Sequence, residues 1–170
     1  MIYKIVVTQF TKMLENFSAV LAKGAQFADE KKFDASVLCN SRLAPDQFNF
    51  IRQVQIMCDT AKVCAGSLAN KEKDIPVHPD EEATIPELKK RIASVVAYLN
   101  SFSPKDFTGA EERKVSRPRW EGKYMSGEEF LLQHAVPNFY FHFTTAYAIL
   151  RHNGVNIGKK DFLGDMPYKA

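Results

Sequence analysis

Nowhere do the 170 residues hold the ~18 consecutive apolar residues that a membrane-spanning helix requires. The opening Met1-Ile2-Tyr3-Lys4 runs into an amphipathic pattern with no signal-peptide core, so the expected location is the cytoplasm and no membrane partner is implied. Cysteine is scarce: Cys39, Cys58 and Cys64 are odd in number and lack the C-x-x-C or Cys/His spacing of a zinc site. A disulfide framework is therefore not expected, and the three thiols read as packing residues. Charge of one sign is missing as well, because 23 Lys and Arg stand against 20 Asp and Glu, scattered along the chain. Nucleic acid is not implied by such a pattern. There is no glycine-rich phosphate loop, no G-x-S-x-G elbow and no paired-carboxylate motif, so nothing commits the chain to phosphoryl or acyl transfer.

What is present is ordinary globular usage, 45% apolar and 25% charged, in a length that suits one domain spanning 1-170. From Ile2 to Ala28 apolar residues recur at three- and four-residue steps and predict a long amphipathic helix. Asp29 to Pro45 reads as a connector, with Asp34 and Ser36 as cap candidates. A second helix is predicted from about Asp46 to Ala69, and its stripe is interrupted by Arg52, Gln53, Gln55, Asp59 and Lys62. The segment from Asn70 to Glu82 is a charged, proline-punctuated linker in which His78 is expected to be solvated. Thr84-Ile85-Pro86-Glu87 is a capping box that opens a third helix, Ile85 to Asn100. Gly109 to Met125 is expected as an irregular loop or small hairpin over one end of the molecule. Ser126-Gly127-Glu128-Glu129 is a second capping box, opening a fourth helix to about Asn153 with Gly154 as its left-handed cap and Pro137 as an interior kink. Four helices with no substantial β-run predict an all-α four-helix bundle with a long loop or small hairpin before the last helix.

Chemistry is concentrated on the fourth helix, where His134, Asn138 and His142 recur every four residues and drift only about 40° per step. Part of that face must enter the bundle, where an imidazole or amide needs a polar partner, and Gln53, Gln55 and Asp59 on the second helix are the available ones. These six residues are the candidate ligand-binding set, with His134, His142 and Asp59 as candidates for acid or base chemistry. The aromatic run from Phe139 to Phe143 covers nearly a helical circumference, and with the apolar first helix it suggests a homodimer. His152, in the last turn, is expected to stabilise the helix C-terminus.

Arg42-Leu43-Ala44-Pro45-Asp46, Arg52-Gln53-Val54-Gln55 and the stretch from Pro137 to Val155 resemble the DinB-like (YfiT-like) four-helix-bundle superfamily, in a branch known only as a domain of unknown function. The resemblance covers nearly the whole chain and implies the same bundle fold. In metal-binding members of that superfamily a histidine on the second helix and an H-x-x-x-H pair on the last hold a divalent metal, and some members activate a low-molecular-weight thiol. His142 stands at the second histidine of that pair, and this makes it the candidate metal ligand for zinc or nickel. Asn138 stands at the first, and the second helix offers Gln53 or Gln55 instead of histidine, so a degenerate metal site is expected. Two functions follow: a non-catalytic or small-molecule-binding bundle protein with an inter-helical polar pocket, or a metal-dependent thiol-transferase-type enzyme using His142.

Overall fold

The periodic segments become the long helices of a computed structural model that describes residues 1–169. A π-helical stretch, Lys4–Gln9, runs into α1 (Phe10–Lys31), and a short α2 (Ser36–Asn40) lies inside the connector. Next come α3 (Phe50–Leu68) and α4 (Ile85–Asn100), then a two-stranded hairpin of β1 (Val115–Ser116) and β2 (Tyr124–Met125). The strands are antiparallel, with Val115 opposite Met125 and Ser116 opposite Tyr124. The last long helix is in three parts: α5 (Gly127–Glu129), a π-helical stretch Phe130–Ala135, and α6 (Val136–His152). A short α7 (Lys159–Leu163) closes the fold. Helix α3 packs on α6 and α4, and α1 packs on α4 and α7, which gives an all-α bundle with a small hairpin before its last long helix. Among the described residues no helix is long and apolar enough to cross a membrane.

Both capping boxes form. The Thr84 hydroxyl accepts from the Glu87 amide while the Glu87 carboxylate accepts from the Thr84 amide, and Ser126 and Glu129 repeat the exchange. At the other end of α6, Gly154 takes φ 94°. Its amide donates to the Arg151 carbonyl and that of Val155 to the Leu150 carbonyl, the paired bonds of a Schellman motif.

Two expectations need correction. Helix α3 starts at Phe50 instead of near Asp46, because Asn49 caps it by accepting from the Arg52 amide at 3.1 Å. Arg42 holds the preceding turn by donating to the carbonyls of Pro45 and Gln47. The fourth helix is not α-helical throughout. The irregularity is a π-helical stretch just before the proline, where the Val136 amide reaches back five residues to the Leu131 carbonyl.

The apolar excess of α1 and α6 is consumed internally. Phe10 stacks on Phe139 at 4.4 Å between centroids, Phe17 meets Phe143 edge-on at 5.1 Å, and Phe143 meets Phe162 at 4.6 Å. Of the aromatic run only Phe141 is mostly exposed, at 55%. Cys39, Cys58 and Cys64 are all buried and unbridged, and burial pushes the thiols of Cys58 and Cys64 far up, so none is a nucleophile at neutral pH.

The entry to the last helix is held against the preceding loop with no spare room. A Cβ at Gly127 would stand 1.8 Å from the Ala110 carbonyl oxygen, which is backbone and cannot swing aside. Gly127→Ala is therefore expected to destabilise the fold by about 1–3 kcal/mol, read as a lower urea midpoint with unchanged slope. An unchanged midpoint would mean that the loop yields freely.

Candidate functional site

Helices α3 and α6, together with the segment around Pro118, border an open cleft of about 550 Å³. Ile56, Val63, Pro118 and Phe130 supply apolar walls, and Asp59, Thr60, Arg117, Arg119, His134, Asn138 and His142 supply the polar groups. Three of the four-spaced residues, His134, Asn138 and His142, thus face one space, as their spacing predicts.

His142 is the best defined of them. It is 7% exposed, and its Nδ1 lies 2.6 Å from Gln53 Oε1. The Gln53 side chain is oriented by its other end, because its amide nitrogen donates to the Phe48 carbonyl at 3.1 Å. The oxygen is thereby turned to the imidazole, so Nδ1 carries the proton and donates, and Nε2 keeps its lone pair. Burial, helped by the positive charge of Arg52, pulls the imidazole down to about 4. His142 is therefore a neutral, single-tautomer ring at neutral pH, and Nε2 makes no hydrogen bond among the described residues.

Asn138, one turn earlier, donates to Thr60 Oγ1 at 2.7 Å. His134 is stacked on Phe130 and met edge-on by Trp120, and its Nε2 accepts from the Arg119 guanidinium at 3.2 Å. Its buried Nδ1 has no partner. Burial and the charges of Arg119 and Arg117 lower its affinity for a proton.

Two of the expected site residues do not act in the cleft as free groups. Gln55 is buried on the other side of α3, where it donates to Glu82 and accepts from Arg52. Residues two apart on a helix point about 200° apart, so Gln53 and Gln55 cannot both serve one site. Asp59 reaches the cleft, but its Oδ1 is held by Arg91 at 2.6 Å and by Lys62 at 2.8 Å. Those bonds tie it into a network behind the cleft. The Arg91 side chain, 0% exposed, also contacts Asp80 at 2.8 Å and Glu82 at 3.0 Å, and Arg52 pairs with Asp80. Three cations thus meet three carboxylates. His78 belongs to this network and is not simply solvated: its Nδ1 accepts from Lys62 at 2.8 Å, and its Nε2 bonds Ser94 at 3.1 Å. Burial and the charges of Lys62 and Arg91 lower its proton affinity below the ordinary value, against weaker opposite pulls from Asp59 and Glu82. His152 is exposed in the last turn of α6, where its position suits a role at the helix terminus.

The residues present do not fit a zinc or nickel ion. Among the described residues no three His, Cys, Asp or Glu side chains converge on one point. Beside His142 Nε2 the nearest groups on the two helices are amides, Gln53 on Nδ1 of the same ring and Asn138, whose nitrogen donates to Thr60. Amide oxygens are poor ligands for either metal.

Sequence reasoning missed Arg117 and Arg119 as lining residues, as well as Thr60 and Phe48. The arginines sit in an irregular segment with no period to give their direction. The one available signal was that a Pro flanked by two arginines fixes both on a rigid turn.

These features define a helical bundle with an inter-helical cleft lined by a neutral histidine. Residues 2–163 match the model of a domain of unknown function (DUF1993), and the chain belongs to that family. It is also similar to a DinB family member protein from Shewanella denitrificans, with 58% identity over 100% of this chain and 96% of that one and a TM-score of 0.97. The chain is thus DinB-like in fold. No curated protein matches it.

Proposed function

We propose that this DinB-like protein binds a small molecule in the α3/α6 cleft, with uncharged His142 as a hydrogen-bond acceptor and without a resident metal. The observation that carries this reading is the chain from the Phe48 carbonyl through the Gln53 amide to His142 Nδ1, which leaves Nε2 as an oriented lone pair in a partly apolar cleft. A ring held down to about 4 is a poor general base at neutral pH, and the buried thiols offer no nucleophile, so the cleft suits binding better than turnover. The rival reading is a thiol transferase that uses His142.

Imidazole nitrogen NMR tests the chain of bonds. His142 is expected as the Nδ1–H tautomer from about pH 5 upward, and phenol, a simple donor, should shift Nε2. Gln53→Leu should abolish the tautomer preference. Because the folded ring takes its proton well below the ordinary 6.5, the unfolded chain binds more protons in between. This contribution to stability is therefore complete above about 6.5 and is lost as pH falls toward about 4. A protonated His142 at neutral pH would refute the reading, and turnover of glutathione with 1-chloro-2,4-dinitrobenzene that His142→Ala removes would establish the transferase in its place.

A homodimer is also proposed, resting on the exposed Phe141 ring beside His142. Phe141→Ser is expected to shift a micromolar sample toward monomer in sedimentation.

A further inference from the structure

Among the described residues the charges behind the cleft are paired, whereas those at one end of it are not. Arg91 is matched by three carboxylates, and Asp59, the carboxylate of the cleft, is already taken by Arg91 and Lys62. Arg117 and Arg119 have no such partner: among the described residues neither makes an ion pair. Arg117 lies over the Phe130 ring at 5.2 Å and donates to the Ser67 hydroxyl at 3.0 Å, both neutral groups. Arg119 donates to His134, which is neutral too. Glu72 is the one carboxylate whose field reaches Arg117, and it does not touch it. Two guanidinium groups two residues apart on a proline-stiffened turn, that of Arg117 half-buried and that of Arg119 exposed, stand beside an apolar wall and suit an anion.

Resting on the cleft-binding reading above, we infer that the ligand is an anionic amphiphile, a flat apolar body that carries a carboxylate, sulfonate or phosphate. Its charged group lies between Arg117 and Arg119, and its body lies on Phe130 and Val63. A donor at the far end of the body faces His142 Nε2. The arrangement selects against neutral molecules of the same shape, because such a molecule would cover the half-buried Arg117 and draw Arg119 out of water without pairing either.

Two dyes with one aromatic body separate the claims: 1-anilinonaphthalene-8-sulfonate, and N-phenyl-1-naphthylamine, which lacks the sulfonate. Trp120 is the single tryptophan and packs at 6.2 Å from Phe130, so its quenching reports a dye at this end of the molecule, and its loss in Arg117→Gln, a residue of the cleft and not of the hairpin pocket that Trp120 lines, assigns the dye to the cleft. At about 0.15 M salt, where loose surface attraction is screened, the sulfonate dye is expected to bind about tenfold or more tightly than the neutral one. Arg119→Gln, at an exposed position that should not affect folding, is expected to erase most of that difference while leaving the neutral dye unchanged. Arg117→Gln should do the same. Equal affinity for the two dyes, or a sulfonate affinity indifferent to both variants, overturns the anionic ligand and leaves the cleft reading standing. Failure of both dyes to quench Trp120 overturns both.

Discussion

Replacing Arg91 with methionine is expected to lower the unfolding free energy by about 3–5 kcal/mol, the range seen when one member of a buried ion network is removed. The volume is kept, so the loss is electrostatic. Asp59, Asp80 and Glu82 would stay partly withdrawn from water with their shared cation gone, the Glu82 side chain at only 12% exposure. In the wild-type fold, burial pushes Glu82 and Asp80 up. Hydrogen bonds outweigh it, from Gln55 and Arg91 to Glu82 and from Arg52 and Arg91 to Asp80, and hold both carboxyls below their ordinary 4.5 and 3.8. A depressed folded value gives stability that is present above the unfolded value and lost as pH falls through the folded one. The difference between wild type and Arg91→Met should therefore be full at pH 7 and shrink below about pH 4. Urea titrations at several pH values measure this, and a pH-independent difference would show that packing, not charge, is what Arg91 supplies. Because Asp80 and Glu82 lie in the linker between α3 and α4, hydrogen exchange in that linker should rise in the same variant.

The second large effect is a gain. Wild-type protein is expected to bind zinc or nickel weakly or not at all, and Gln53→His together with Asn138→His should raise affinity by about 3 kcal/mol per added imidazole. The structure chooses between the second-helix positions. Gln53 already touches the His142 ring at 2.6 Å, whereas the Gln55 side chain is engaged with Glu82 on another face of the helix. Gln55→His with Asn138→His is therefore expected to gain little. Losing the Gln53 donor to the Phe48 carbonyl subtracts from the gain by about 1 kcal/mol. Calorimetry decides: tight stoichiometric metal in the wild type, abolished by His142→Ala, would replace the degenerate-site reading with a metalloenzyme.

Much of the fold was legible from local pattern. The three-and-four spacing placed the long helices, the two capping boxes marked two helix starts, and Gly154 marked an end, because each of these signals is carried by residues within a turn of one another. The residue-by-residue resemblance of Pro137 to Val155 carried the family. The site was legible only in part. His134, Asn138 and His142 were placed on one face by arithmetic alone. Which glutamine they would meet was not, because that depends on the rotation of α3 about its own axis when it packs on α6.

The sequence by itself determined where helices begin and end, since helix formation is governed by neighbours three and four residues away. It also determined that one face of the last helix is polar. Tertiary structure decided everything that depends on distance in the chain. It paired His142 with Gln53, 89 residues earlier, gave His78 to Lys62 and Ser94, and set Arg117 and Arg119 beside α6 without a carboxylate. The protonation state of His142 belongs to the same group of facts. It is set by how much water packing removes from the ring and by which partner faces Nδ1, and neither quantity exists until the helices are assembled.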